Sequence, residues 1–332
     1  MNQNPLLQVS EVSKKYDTEV ILDKLSFEVR QGEFLAIVGK SGAGKSTLLR
    51  IMAGLLNPDQ GEVKFEGKVL EGPSKRLVPG YEEIQLVHQQ FELQPNMTAE
   101  ENIRRPILGY VREYQENKVN ELLALSGLLH KRNKQPGELS GGQQQKLALS
   151  TAMAVEPQVL LMDEPFSHLD PFSKQAFLRE IKQMAVTYDC SVVFVTHDTR
   201  DALSVADRVM VLDEGVVIQD GAPREVYAAP VNVEVARFFG PLNLFSPDEW
   251  YNLFDLKSKT QVGVRPEQFL WSWLGNGLQV VVRDALFSGE VTHLLVEAPG
   301  RREWIEVQCG INPPQKGQEI FLSVAEYYAF PD

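Results

Sequence analysis

Phe34-Leu35-Ala36-Ile37-Val38 runs straight into Gly39-Lys40-Ser41-Gly42-Ala43-Gly44-Lys45-Ser46-Thr47, and Lys45 opens the stretch Lys-Ser-Thr-Leu-Leu-Arg-Ile-Met-Ala, which closes at Gly54. The first run is short, unbroken and apolar, as a buried parallel strand is. The last has helical character, with Gly54 as its C-terminal stop. Between them the glycines let successive backbone N–H groups turn inward, and the helix N-terminus adds partial positive charge. The segment is therefore a phosphate-binding loop in the strand-to-helix setting that such a loop requires. On this reading Gly39, Lys40, Ser41, Gly42, Ala43, Gly44, Lys45, Ser46 and Thr47 cradle a nucleotide. Lys45 reaches its β- and γ-phosphates and Ser46 holds Mg²⁺.

Outward from the loop, residues 1 to about 240 alternate strand-like runs with helical patterns, the sign of an α/β domain with a mainly parallel sheet. Buried strands are expected at 34–38, 159–162, 191–195 and 208–212. Ligands in open α/β sheets collect at the carboxyl ends of such strands. Residues 91–155 lack strands of this kind and predict an inserted helical subdomain, with helices over 98–107, 112–126 and 143–154. Asp213-Glu214-Gly215 predicts a hairpin. Residues 241–261, with Pro241 and Pro247, read as an irregular linker. From 262 to 332 five short β-branched or alternating runs (261–264, 278–284, 291–298, 304–307 and 319–325) predict a small all-β barrel of OB type.

The chain has 332 residues, room for one large domain and a smaller one, and its 43% hydrophobic and 23% charged content is that of a soluble globular protein. Its formal charge of −12 and lack of a basic run argue against a nucleic-acid partner held through phosphates. Cys190 and Cys309 stand in no metal or redox spacing and read as buried thiols. No basic-then-apolar start and no membrane-length apolar run occur, so a cytoplasmic protein is expected, with any membrane span supplied by other subunits.

Two further segments carry chemistry. Val159-Leu-Leu-Met-Asp163-Glu164-Pro165 is an apolar strand ending in paired carboxylates. Behind a phosphate-binding loop, Asp163 fits as the protein oxygen for Mg²⁺, and Glu164 is placed to orient or deprotonate the attacking water. Leu139-Ser140-Gly141-Gly142-Gln143 precedes a helix. By itself it reads as a cap, Ser140 satisfying free N–H groups, or as a second anion site at a helix N-terminus.

Together these motifs closely resemble the ATP-binding subunits of ABC transporters, whose signature motif Leu139–Gln143 matches. The resemblance implies that Ser140, Gly141, Gly142 and Gln143 dock on ATP held by the opposite subunit of a head-to-tail dimer. It implies that Tyr16 stacks on adenine. It makes Gln89 the glutamine that touches Mg²⁺ and the water beside the membrane partner, with neighbouring Gln90 as the competing choice. Asp170, in Ser167-His168-Leu169-Asp170, resembles the acid that reaches across the dimer, although Asp170-Pro171 also reads as a helix N-cap with proline at the first position. His197 is similar to the histidine that contacts the γ-phosphate.

Gln219–Pro230, Val235–Gly240 and Val262-Gly-Val-Arg265-Pro-Glu267 resemble importer ATPases for sugars, polyamines, sulfate or ferric iron, the last being the entry to their regulatory TOBE domain. His88, Lys146, Ser150-Thr151 and His168 depart from the family pattern. None of them removes a nucleotide ligand or the catalytic carboxylate, so hydrolysis is expected. The resemblance implies an ATPase with ATP and Mg²⁺, dimerised with itself or a close paralogue. It implies a place on the cytoplasmic membrane face, beside two permease subunits and, indirectly, a solute-binding protein. Exporter ATPases share every motif through His197, and soluble ABC proteins acting on nucleic acid or ribosomes are the other alternative. The barrel-like tail argues against the first, and the single loop and acid balance against the second.

Overall fold

A computed structural model describes residues 5–331 except His168 and Asn276. Its chain falls into two compact units, residues 1–224 and 225–332. The division lies earlier than the 240 expected from sequence.

In the first unit, β1 (Leu7–Tyr16) and β2 (Glu19–Val29) pair antiparallel. The fully buried β3 (Phe34–Val38) leads through the glycine loop into α1 (Lys45–Met52). Strands β4 (Gln60–Phe65) and β5 (Lys68–Val69) join the first pair in an antiparallel sheet of order β2-β1-β4-β5, which sequence reading did not separate from the core. After β6 (Ile84–Val87) come α2 (Ala99–Arg104), α3 (Arg112–Leu125) and α4 (Gly141–Met153), the helical stretch expected over 91–155. Then follow β7 (Val159–Asp163), α5 (Pro171–Thr187), β8 (Ser191–Thr196), α6 (Thr199–Val205), β9 (Arg208–Asp213) and β10 (Val216–Gly221).

The core sheet has the order β10-β9-β3-β8-β7-β6. All its pairs are parallel except β9–β10, whose hairpin turns through Glu214 and Gly215 with φ of 45° and 78°. Two consecutive left-handed residues give the turn whose twist matches the flanking strands. Because β3, β7 and β8 are neighbours in one parallel sheet, the glycine loop, the Asp163-Glu164 pair and His197 all emerge at the same edge.

Helix α7 (Pro223–Ala228) runs across the division, and in the second unit α8 (Val233–Phe238) precedes β11 (Asn243–Phe245) and α9 (Pro247–Phe254). The stretch 241–261 is thus not irregular throughout. Ser246 and Glu249 close a capping box on α9, and Phe245 and the fully buried Trp250 enter the apolar core. Strand β12 (Gln261–Val264), β13 (Phe269–Ser272), β14 (Leu278–Phe287), β15 (Thr292–Glu297), β16 (Ile305–Cys309), β17 (Glu319–Val324) and β18 (Tyr328–Phe330) complete the barrel. They form antiparallel sheets of order β11-β12-β18 and β13-β17-β14-β15-β16, so the five strands read from sequence are joined by β11, β13 and β18.

Candidate nucleotide site

The loop between β3 and α1 is shaped by what its glycines lack. A Cβ on Gly39 would lie 2.1 Å from the Leu212 carbonyl oxygen of β9. Gly44 has φ of 91°, and a Cβ there would meet the Ile21 carbonyl at 2.6 Å. Gly44 heads α1 with no side-chain cap, so the first N–H groups of that helix are left for an anion. Lys45 is mostly buried and donates from Nζ to the Gly39 and Lys40 carbonyls, at 2.8 Å each. Burial pushes its ammonium below the usual lysine range, against the opposing fields of Glu164 and Asp163.

At the end of β7, Asp163 Oδ1 accepts a hydrogen bond from Ser46 Oγ at 3.0 Å. Glu164 takes a left-handed φ of 49°, and its backbone N–H bonds the Val195 carbonyl of β8 at 3.1 Å. A non-glycine residue in that region is strained, and such strain clusters where side-chain aim matters. Here it turns the Glu164 side chain so that Oε2 lies 2.8 Å from His197 Nδ1. The His197 ring is 68% exposed and the Glu164 side chain 16%, so the acid is sheltered behind the histidine.

Gly44, Lys45, Ser46, Glu164 and His197 border a cleft of about 510 Å³ together with Tyr16, Ile21, Ser41, Gly42, Thr47 and Gln89, and Asp163 stands behind it through its bond with Ser46. Gln89 borders it and Gln90 does not. The residues that follow, Phe91 and Glu92, both hold positive φ, 62° and 44°, so the chain turns sharply there. Tyr16 is half exposed, with Lys14 Nζ 5.9 Å from its ring centroid. Ile21 was not anticipated, because one aliphatic in a strand carries no signal of its own.

The signature segment is not in this cleft. Ser140 caps α4 through a capping box with Gln143, the serine nitrogen donating to Gln143 Oε1 at 3.1 Å. Ser140, Gly142 and Gln143 line a separate hollow of about 320 Å³ with Leu169 and the exposed Phe172. Asp170 caps α5, its Oδ1 accepting from the Phe172 and Ser173 backbones at 3.0 Å each. Its neighbour His168 lies outside the described residues. Among the departures, Lys146 pairs with Glu180, and Thr151 Oγ1 donates to the Leu147 carbonyl at 2.8 Å.

The profile of the ABC transporter family matches residues 22–167, and that of the TOBE domain residues 262–329. The chain is 39% identical to the spermidine/putrescine import ATP-binding protein PotA of Thermotoga maritima, over 74% of this chain and 68% of that one. It is 30% identical to the Fe(3+) ions import ATP-binding protein FbpC of Escherichia coli, over 99% and 98% of the two chains. With the sulfate/thiosulfate import ATP-binding protein CysA 2 of Chromobacterium violaceum it shares 34% identity over 89% and 84%. Two solved structures share its fold. One is cbiO1 of Clostridium perfringens, part of an ABC transporter complex, with TM-score 0.62, 27% identity and coverage of 68% of this chain and 92% of that one. The other is a dimeric ATP-binding cassette in a post-hydrolysis state with ADP and phosphate, with TM-score 0.59, 30% identity and coverage of 66% and 99%.

Proposed function

This chain belongs to the ATP-binding subunits of ABC importers that carry a C-terminal TOBE domain, ATPases that power solute uptake, and from that premise we propose how its own residues run the cycle. ATP lies in the cleft at the carboxyl edge of the core sheet, its adenine on Tyr16. Lys45 exchanges its two carbonyl partners for β- and γ-phosphate oxygens. Ser46, Asp163 and Gln89 offer a few hard oxygen donors, the pattern of Mg²⁺ held largely through phosphates and water. Among the described residues no cluster of three or more His, Cys, Asp or Glu forms a cage made of protein alone. When bound, the ion neutralises charge that develops on the transferring phosphoryl group. Glu164 orients the attacking water and takes its proton, and His197, beside it, contacts the γ-phosphate.

One observation carries the dimeric reading: Ser140, Gly142 and Gln143 line a hollow apart from the cleft bordered by Lys45, Ser46, Glu164 and His197. A second copy, facing head to tail, supplies its Ser140, Gly141, Gly142 and Gln143, and its Asp170, to close the site. ATP bridging Lys45 of one copy and Ser140–Gly142 of the other binds the closed pair better than the open one. That difference in affinity is what drives closure. Loss of the γ-phosphate removes the bridge. Permease subunits docked beside Gln89 turn closing and opening into alternating access at the cytoplasmic face of the membrane. The relatives' names span polyamine, ferric iron and sulfate, so the solute is read by the membrane and binding-protein partners rather than by this subunit.

Glu164→Gln tests the assignment. The variant is expected to bind MgATP, hydrolyse it at least about 100-fold more slowly, and accumulate as a dimer in light scattering. Normal turnover would remove Glu164 from its role. Tagged Glu164→Gln drawn from native membranes with MgATP should bring down a multispan permease, and soluble partners alone would overturn the transporter partnership.

A further inference from the structure

Lys174 sits in the first turn of α5, its backbone N–H bonded to the Asp170 carbonyl at 2.9 Å. Its ammonium reaches away from that helix to Asp198 Oδ2 at 2.8 Å and Asp201 Oδ2 at 2.9 Å. Those acids open α6, directly after His197. Asp198 is committed on every side: Oδ1 caps α6 by accepting from the Arg200 backbone at 3.0 Å, and its own N–H donates to Thr196 Oγ1 at 3.0 Å. Asp201 is 5% exposed. The pairing shows differently on its two sides. Burial pulls the Lys174 ammonium down, yet its bonds to Asp198 and Asp201 outweigh that and hold it above the ordinary lysine value. Burial holds the Asp201 carboxyl above the usual carboxylate range, an unfavourable placement that the ammonium offsets only in part.

We infer that Lys174 is a positioning residue for ATP hydrolysis, tying the loop that carries His197 to the helix headed by Asp170, so that the histidine follows that helix when two copies close. The exposed His197 ring bonds Glu164 Oε2, so its direction depends on how the backbone beneath it is anchored. Without the ammonium, Asp198 and Asp201 face each other as like charges, one of them buried, and the strain is relieved by opening of the loop or by protonation of Asp201, either of which unties α6 from α5. The motifs gave no warning of Lys174, because it contacts neither phosphate nor base. The inference rests on the reading of His197 as the γ-phosphate contact.

The test uses the full-length chain as wild type, Lys174→Met, Lys174→Arg and His197→Ala, with steady-state ATPase rates and ring spectra of ¹³C-labelled histidine. Lys174→Met is expected to lower kcat about ten-fold or more, as displaced catalytic geometry does, with KM for ATP unchanged, and Lys174→Arg to restore it. The His197 ring signal should shift in Lys174→Met and return in Lys174→Arg, while those of His88, His130 and His293 stay in place. Unchanged kcat in Lys174→Met, or an unmoved His197 signal, overturns the inference. If Lys174→Met does not fold, Asp201→Asn loosens the same tie without a cavity: lowered kcat at constant KM supports the tie, and unchanged kcat overturns it. Wild-type turnover in His197→Ala refutes the underlying reading of His197. Collapse of His197→Ala beside an unimpaired Lys174→Met refutes the tie alone.

Discussion

Gly39→Ala asks whether the glycine loop is held up by a single close approach. The added methyl would sit 2.1 Å from the Leu212 carbonyl oxygen and 3.1 Å from its carbon. An ordinary carbon-to-oxygen contact is about 3.3 Å or longer, so one partner must retreat by roughly 1.2 Å. Strand β9 has little freedom to do so. It is paired with β3 from Leu35↔Arg208 to Val38↔Val211 and with β10 on its other edge. The loop must rise instead, carrying Lys45 and Ser46 with it. Overpacking of this kind costs about 1–3 kcal/mol, and a shift of about 1 Å at catalytic groups costs on the order of 100-fold in rate. Gly39 is not among the glycines with positive φ, so backbone strain adds nothing and the contact alone is under test. Gly42→Ala is the complement: nothing lies within 4 Å of its added methyl, but its φ is 83°. Scanning calorimetry of the nucleotide-free chain and ATPase rates are the assays. Gly39→Ala is expected to melt earlier and to lose most of its turnover. Unchanged melting together with unchanged kcat would refute the argument that this contact fixes the loop.

Other outcomes follow from burial and charge. Trp250 is fully buried against Phe245, Phe254 and Tyr327 at centroid distances of 5.5, 4.8 and 5.0 Å, so Trp250→Ala should cost about 3–5 kcal/mol. Urea unfolding of the chain, followed by tryptophan-independent circular dichroism, checks it, and an unchanged midpoint would count against α9 as part of the core. Glu100 is partly buried, which alone would raise its carboxyl, but hydrogen bonds from Arg132 and Arg104 hold it below its ordinary 4.5. A depressed folded value means that its contribution is complete above pH 4.5 and fades as pH falls through the folded value. Glu100→Gln should therefore be less stable than wild type at neutral pH, with the gap closing under acid. A gap independent of pH would locate the effect in shape rather than charge.

The nucleotide-binding half was legible because each of its parts combines a local pattern with a local reason. Phe34–Val38 is an unbroken apolar run, and the structure buries all five of its residues. Asp163 and Glu164 end a run of the same kind. What was not legible depends on distant chain. The β2-β1-β4-β5 sheet is built on two long, half-exposed strands, β1 and β2, whose burial follows no clean alternation along their whole length. Lys174 meets Asp198 across 24 residues, and no spacing announces such a pair. The stretch 241–261 is a different case. Ser246-Pro247-Asp248-Glu249 is a capping box with proline at the first helical position. The prolines drew the reading toward an irregular linker, although one of them marked a helix start. The competing readings of Ser140–Gln143 and Asp170 illustrate a further limit of local pattern. Both segments act as caps within one chain, so their capping chemistry is visible in isolation and any role toward a second copy is not.

The separation of the signature hollow from the nucleotide cleft also has a bearing on mass action. Under the proposed reading, a single copy can hold ATP but has only half of what is needed to act on it. Its turnover is then a property of encounters, and the rate per chain rises with concentration until pairing saturates. Diluting the free subunit should silence it without damaging it. A shared membrane scaffold holds two copies at an effective concentration on the order of millimolar, far above what dilute solution offers. Anchorage would therefore switch the subunit on by proximity alone, and a chain adrift in solution would waste little ATP.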